Sequence, residues 1–159
     1  MTIDEYPFRR SYPTRWNDND MFGHVNNTIY YSAMDNASTY WFREFAGLDP
    51  FSSEWIAVLV SSSCRFVESA VWPDVIEVGM RSKHLGTTSL SWEFGLFRQS
   101  DGALLATGEF VHVIIDREGA RRPIPLPGEL RELVTGSMVA QQPAVADEDL
   151  SPSAQPARG

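Results

Sequence analysis

The sequence has a single cysteine, Cys64, so no disulfide can close within the chain. That fits a reducing compartment, and a cytoplasmic location is expected. Cations are also scarce: 13 Lys and Arg stand against 21 Asp and Glu, a formal charge of −8. A broad nucleic-acid face needs clustered Lys and Arg against phosphates, so no nucleic-acid partner is expected. A small basic patch for one anionic ligand stays open. No apolar run approaches the ~20 residues of a membrane helix, and no membrane partner is expected. Residues 1–10 lack the continuous apolar stretch of a secretory signal. Also missing are a Gly-x-Ser-x-Gly elbow, a Walker loop, a dinucleotide fingerprint and a His/Cys cluster at zinc spacing.

Large aromatic residues are plentiful, with five Trp and nine Phe, ample for the interior of one domain. The expected division is a folded domain over residues 1–135 and a Pro/Ala/acidic tail over 136–159. The tail has almost nothing large and apolar to bury, which predicts disorder. Before it, Glu129 to Val134 predicts a short helix after Pro127 and Gly128.

Tyr30, Ala33, Met34, Ala37, Trp41 and Phe45 recur at spacings of three and four, one face of a helix. Ile29, Tyr40 and Phe42 widen that face, so this helix is expected to be buried on several sides. Asn26 or Asn27 suits its N-cap; Gly47 and then Pro50 suit its end. The rest reads as strand. Tyr6 to Trp16 predicts a proline-bearing edge strand, and Trp55 to Val67 a largely apolar one. Ile76-Val78-Met80 and Leu90-Trp92-Phe94-Leu96 alternate with polar or small residues. Leu105 to Ile115 follows the Asp101-Gly102 hairpin signal. The expected class is α+β: four successive strands joined by short turns, in an antiparallel sheet curled around one long helix.

Between the first strand and the helix lies the segment from Arg15 to Tyr30. It concentrates two carboxylates, a histidine and several asparagines just ahead of a helix N-terminus. Free N–H groups and the positive end of the helix dipole favour developing negative charge there. A carboxylate beside such a terminus suits a general base or nucleophile on a carbonyl, with the N–H groups stabilising the oxyanion. Asx-rich loops also exist simply to cap helices. Asp18-x-Asp20 opens like a calcium loop, but Phe22 and Ile29 stand where oxygen ligands belong, so no metal is expected. Cys64 sits in an apparent strand and reads as a packing residue.

The run Asp18-x-Asp20-x-x-Gly23-His24-Val25-Asn26-Asn27-x-x-Tyr30 resembles the hotdog-fold thioesterases, in particular their 4-hydroxybenzoyl-CoA thioesterase-like branch. Leu85-Gly86-Thr87-Thr88-Ser89, Gly102-x-x-x-Ala106-x-Gly108 and Arg122-Pro123-Ile124-Pro125 are similar to later features of the family. The resemblance covers about residues 6–135. It implies a hotdog fold, a curved antiparallel sheet wrapped around one long central helix, assembled as a homodimer or homotetramer with sites at the subunit interface. It implies hydrolysis of acyl-CoA to a carboxylic acid and free coenzyme A, with no cofactor beyond the coenzyme A of the substrate. Asp20 matches the acid that attacks the thioester or activates water, and Asn27 the helix start whose N–H faces the thioester oxygen. Gly23, His24, Asn26 and Tyr30 match substrate-side positions. Phe22 replaces the Asn that accompanies His24's counterpart in the acyl-carrier-protein branch. Asp35 and Glu44 are the only acids of the helix itself. Arg81, Lys83, Arg117, Arg121 and Arg122 are the cations available for the nucleotide. A thioesterase acting on acyl-carrier protein and a non-catalytic acyl-CoA binder are the alternatives.

Overall fold

The computed structural model describes residues 1–139, with side chains to residue 136. The expected tail falls almost wholly outside these described residues. Five strands and two α-helices follow one another as β1 (Phe8–Pro13), α1 (Asn27–Glu44), β2 (Trp55–Phe66), β3 (Val75–Leu85), β4 (Ser89–Arg98), β5 (Leu104–Asp116) and α2 (Gly128–Val139). Single 3-10 turns precede β1 and α1. All pairings are antiparallel, and the sheet order is β1-β3-β4-β5-β2.

β1 lies at an edge, as its prolines predict. The expected succession of short turns holds only from β3 to β5. β2 pairs with β5 rather than β3, so it forms the far edge, and residues 67–74 cross the sheet's end. A β-turn signal marks where a chain reverses; it does not tell which strand a longer connection will reach.

Helix α1 starts where Asn26 accepts from the Thr28 N–H at 3.0 Å and ends with Gly47 in the left-handed region. Leu48 N–H closes back on Phe42 O at 3.0 Å. Tyr30, Ala33, Met34, Ala37, Ser38, Trp41 and Phe42 are its buried residues. They pack with the inward alternation of the sheet: Ile76, Val78 and Met80 of β3, Leu90, Trp92, Phe94 and Leu96 of β4, Phe110 and Ile114 of β5. Trp41 meets Trp92 edge-on at 4.8 Å, the densest aromatic contact of this core.

On the opposite face of β3 and β4, Gly79 and Gly95 stand directly across from each other and leave a bare patch. Tyr6 lies flat over both and is only 1% exposed. Arg81, paired with Glu93 at 2.6 Å, covers the ring's outer side, 5.0 Å from its centroid. This burial pushes the Tyr6 hydroxyl pKa up to about 12. No helix of the described residues is long and apolar enough to cross a membrane.

Candidate active site

The loop ahead of α1 is pinned by its first carboxylate. Asp18, 3% exposed, accepts from the Arg15 backbone N–H at 2.7 Å and from the Arg15 guanidinium at 2.9 Å. Burial alone would raise its pKa, but the Arg15 hydrogen bonds outweigh it and hold the carboxyl below the ordinary Asp range. Its carbonyl accepts the Asn26 N–H at 2.8 Å, tying the loop to the helix cap. Asp18 is thus a scaffold residue.

The next four residues form a tight reversal. Gly23 N–H bonds to Asp20 O at 3.1 Å and Asp20 N–H to His24 O at 2.9 Å, while Asp20 Oδ1 accepts from Phe22 N–H at 2.8 Å. Gly23 has φ +79°, which an L side chain resists, and a Cβ there would touch nothing within 4 Å. The turn therefore needs glycine for its backbone rather than for close approach to a neighbour.

Beyond the turn, Asp20, Asn27 and Tyr30 line one cavity of about 290 Å³. Asn27 is the first residue of α1, and its N–H has no hydrogen-bond partner among the described residues. Gly23, His24 and Asn26 are not on the cavity wall. The His24 side chain is exposed, and Asn26 is committed to capping, its Oδ1 taking both the N–H and the hydroxyl of Thr28.

The remaining wall is Val25 and the run Phe66, Val67, Glu68 and Ser69, which sequence reasoning did not single out. It sits there because the β2–β3 connection is stitched to α1. Val25 N–H donates to Ala70 O at 2.8 Å, and Ala70 N–H donates to the Tyr30 hydroxyl at 3.1 Å. Burial raises the pKa of that Tyr30 hydroxyl, so it stays neutral. Phe66 packs edge-on to Tyr30 at 5.3 Å.

Arg98 braces the same connection. Its Nη2 donates to Glu68 Oε1 and Ser69 O, both at 2.8 Å, its Nε to Asp74 Oδ2 at 3.2 Å and its Nη1 to Asp101 Oδ2 at 2.8 Å. Glu68, the second carboxylate at the cavity, is thereby ion-paired, sharing one guanidinium with Asp74 and Asp101. The cations proposed from sequence lie off this cavity wall: Arg81 on Glu93, Lys83 on Glu109, Arg117 on the carbonyls of Asp49, Pro50 and Ser53, and Arg121 and Arg122 exposed after β5. Cys64 is half-buried in β2, with its thiol pKa raised by burial.

The arrangement offers a carboxylate and an unused helix-start N–H in one concave site, the pair of parts that acyl transfer requires. The profile of the thioesterase-like superfamily matches residues 14–134, from just before this loop into α2. The chain belongs to that superfamily. Solved structures agree. A protein of Pseudomonas aeruginosa PAO1 is 37% identical, covering 90% of this chain and 97% of its own, with a TM-score of 0.80. A Thermus thermophilus thioesterase, solved with coenzyme A and Zn, is 27% identical over 85% of this chain and 97% of its own, TM-score 0.71. A Synechocystis 1,4-dihydroxy-2-naphthoyl-CoA thioesterase shares the fold at 19% identity, covering 80% and 95%, TM-score 0.72. No curated protein sequence matches the chain. The hotdog thioesterase resemblance carried by Asp20 to Tyr30 is therefore a family relationship over residues 14–134.

Proposed function

We propose that this superfamily member hydrolyses acyl-CoA thioesters, with Asp20 as base or nucleophile and the Asn27 N–H as oxyanion donor. One observation carries the reading: Asp20 and Asn27, the first residue of α1, whose N–H has no partner among the described residues, line the same cavity. In the base route Asp20 takes a proton from water as it adds to the thioester carbon, and passes that proton to the sulfur as the C–S bond breaks. In the nucleophilic route the carboxylate adds, the C–S bond breaks to leave a mixed anhydride, and water then cleaves the anhydride, its proton going to the thiolate. In both, the carbonyl oxygen gains negative charge beside the helix N-terminus, where the dipole favours it. Support for a coenzyme A substrate comes from the Thermus relative, solved with that molecule. No cofactor is invoked, coenzyme A entering only as part of the substrate.

The working unit in this reading is at least a dimer. β2 is an edge strand of 12 residues, and its Val58, Leu59 and Val60 are exposed. Such an edge presents unpaired backbone groups and apolar side chains, which antiparallel pairing with a second copy's β2 would satisfy. Within that sheet pair, each protein would hold a helix as its centre in the hotdog manner and act in the cytoplasm.

The test is free-thiol release from a panel of acyl-CoAs, for wild type and Asp20→Asn. Loss of about a hundredfold or more in kcat is expected, the scale of general-base chemistry. Unchanged turnover in Asp20→Asn removes its role. Activity confined to acyl-carrier-protein substrates redirects the substrate assignment, and tight acyl-CoA binding without thiol release makes the protein a binder.

A further inference from the structure

A second cavity, of about 330 Å³, lies between the C-terminal half of α1 and the first residues of β2. Asp35, Thr39 and Phe42 of α1, Ile56 and Ala57 of β2, and His112 of β5 form much of its wall. A cavity of ~150 Å³ holds benzene, so this one has room for a ring with substituents or a chain segment of similar bulk.

His112 is the residue that packing does not explain. It occupies an inward position of β5, between Phe110 and Ile114, and is 5% exposed. Its ring meets Phe42 edge-on at 5.2 Å, and its Nδ1 has no hydrogen-bond partner among the described residues. Burial pushes its pKa down to about 4, so the imidazole is neutral, with one donor and one acceptor nitrogen. A phenylalanine would fill the same space without leaving a buried polar group unpaired. A histidine in a cavity wall is therefore suited to a ligand that brings its own hydrogen-bonding group.

The cavity is remote from Asp20 of the same chain. Along α1, Asp35 lies eight steps from Asn27, about 12 Å, and Phe42 fifteen steps, about 22 Å. Antiparallel pairing of two β2 strands would change that separation. With the two-fold at the midpoint of β2, between residues 60 and 61, it would place residues 55–59 of one copy beside 62–66 of the other, next to the partner's Asp20 cavity, which Phe66 to Ser69 line.

We infer that this cavity takes the distal end of the acyl group cleaved at the partner's loop, and that His112 selects there for a hydrogen-bonding substituent. The inference rests on the thioesterase reading and deepens it. A hydroxyl is the natural probe, since it can donate or accept and so suits a neutral imidazole in either tautomer. Asp35 and Arg43 stand in the same wall, so a carboxylate would meet one group of each sign there and a hydroxyl reads His112 more cleanly.

The test compares kcat/KM for ω-hydroxyacyl-CoA and the plain acyl-CoA of the same chain length. Wild type should favour the hydroxylated substrate about 10- to 100-fold at the matching length, the scale of one buried hydrogen bond left unmade. His112→Phe should bring that ratio to about one, and His112→Gln should restore part of it. A ratio that His112→Phe leaves intact, or no preference in wild type at any length, overturns the inference. A doubly tagged mixed dimer of Asp20→Asn with His112→Phe subunits checks the cross-subunit geometry. It holds one complete site only if the two residues act across the interface, so it should show the wild-type ratio; a ratio of one overturns the placement. Should no thioester be hydrolysed, the thioesterase reading falls and the pocket is tested separately. Nitrogen-15 signals of the His112 ring should shift with a non-cleavable ω-hydroxyalkyl-CoA thioether and not with its plain counterpart; equal or absent shifts overturn the inference.

Discussion

Replacing Gly79 by alanine should evict Tyr6 from the outer face of the sheet. An added Cβ would lie 2.5 Å from Tyr6 Cγ, 2.6 Å from Cδ2 and 2.8 Å from Cβ, whereas carbon atoms settle at about 3.5–4.0 Å. The ring cannot tilt to escape, because its other end rests on Gly95, where a Cβ would lie 2.6 Å from the hydroxyl oxygen. It must lift by about 1 Å, enough to forfeit a quarter to a half of its dispersion contact. Full release of an aromatic side chain burying ~150–250 Å² would cost about 4–6 kcal/mol at ~25 cal/mol per Å². A partial lift should cost about 1–3 kcal/mol, the usual range for overpacking. For a domain of this size that lowers the melting temperature by about 4–10 °C. Calorimetric unfolding of Gly79→Ala, Tyr6→Ala and the double variant measures this directly. With Tyr6 gone, the alanine should cost nothing or stabilise slightly, since glycine weakens a strand interior. Equal costs in both backgrounds, or a cost below about 0.5 kcal/mol with Tyr6 present, would refute the argument.

Asn27→Pro removes the proposed oxyanion donor while keeping the fold, because the first position of a helix tolerates proline and Asn26 already has extended backbone angles, φ −59° and ψ 141°. It should cut kcat about 10²- to 10³-fold with little change in unfolding temperature, read by thiol release beside a melting curve. Gly23→Ala should destabilise by about 1–2 kcal/mol through its positive φ alone, with Gly23→Asn nearer to wild type in denaturant titration. His112 sets an acid limb. Its folded pKa of about 4 lies below the ordinary 6.5, so the unfolded chain binds the proton first as pH falls. Stability from this group is complete above about pH 6.5 and declines toward pH 4, by about 3 kcal/mol in all. His112→Phe should flatten that stretch of the melting-temperature profile.

Most elements were legible because they announce themselves locally. The three-four spacing from Tyr30 to Phe45 and the alternations in β3 and β4 are signals of burial on one face, and the strands and α1 lie where those signals put them. What stayed hidden depends on which distant segments meet. Nothing local shows that β2 passes β3 to pair with β5, and that crossing is what brings Phe66 to Ser69 to the wall beside Asp20. Gly79 and Gly95 are only small residues in two alternations until the register sets them opposite each other. His112 had a faint signal, a polar residue in an inward alternation between Phe110 and Ile114.

Arg98 ties the cavity wall at Glu68 and Ser69 to Asp101 in the turn between β4 and β5. That turn is a surface hairpin, the kind of place where sequences drift and where engineers graft. Here it is not neutral ground. A transplanted hairpin that omits the aspartate would free one arm of the guanidinium and loosen a wall that the hairpin never touches. Anyone recombining parts among related chains should treat Glu68, Asp74, Arg98 and Asp101 as one inherited unit.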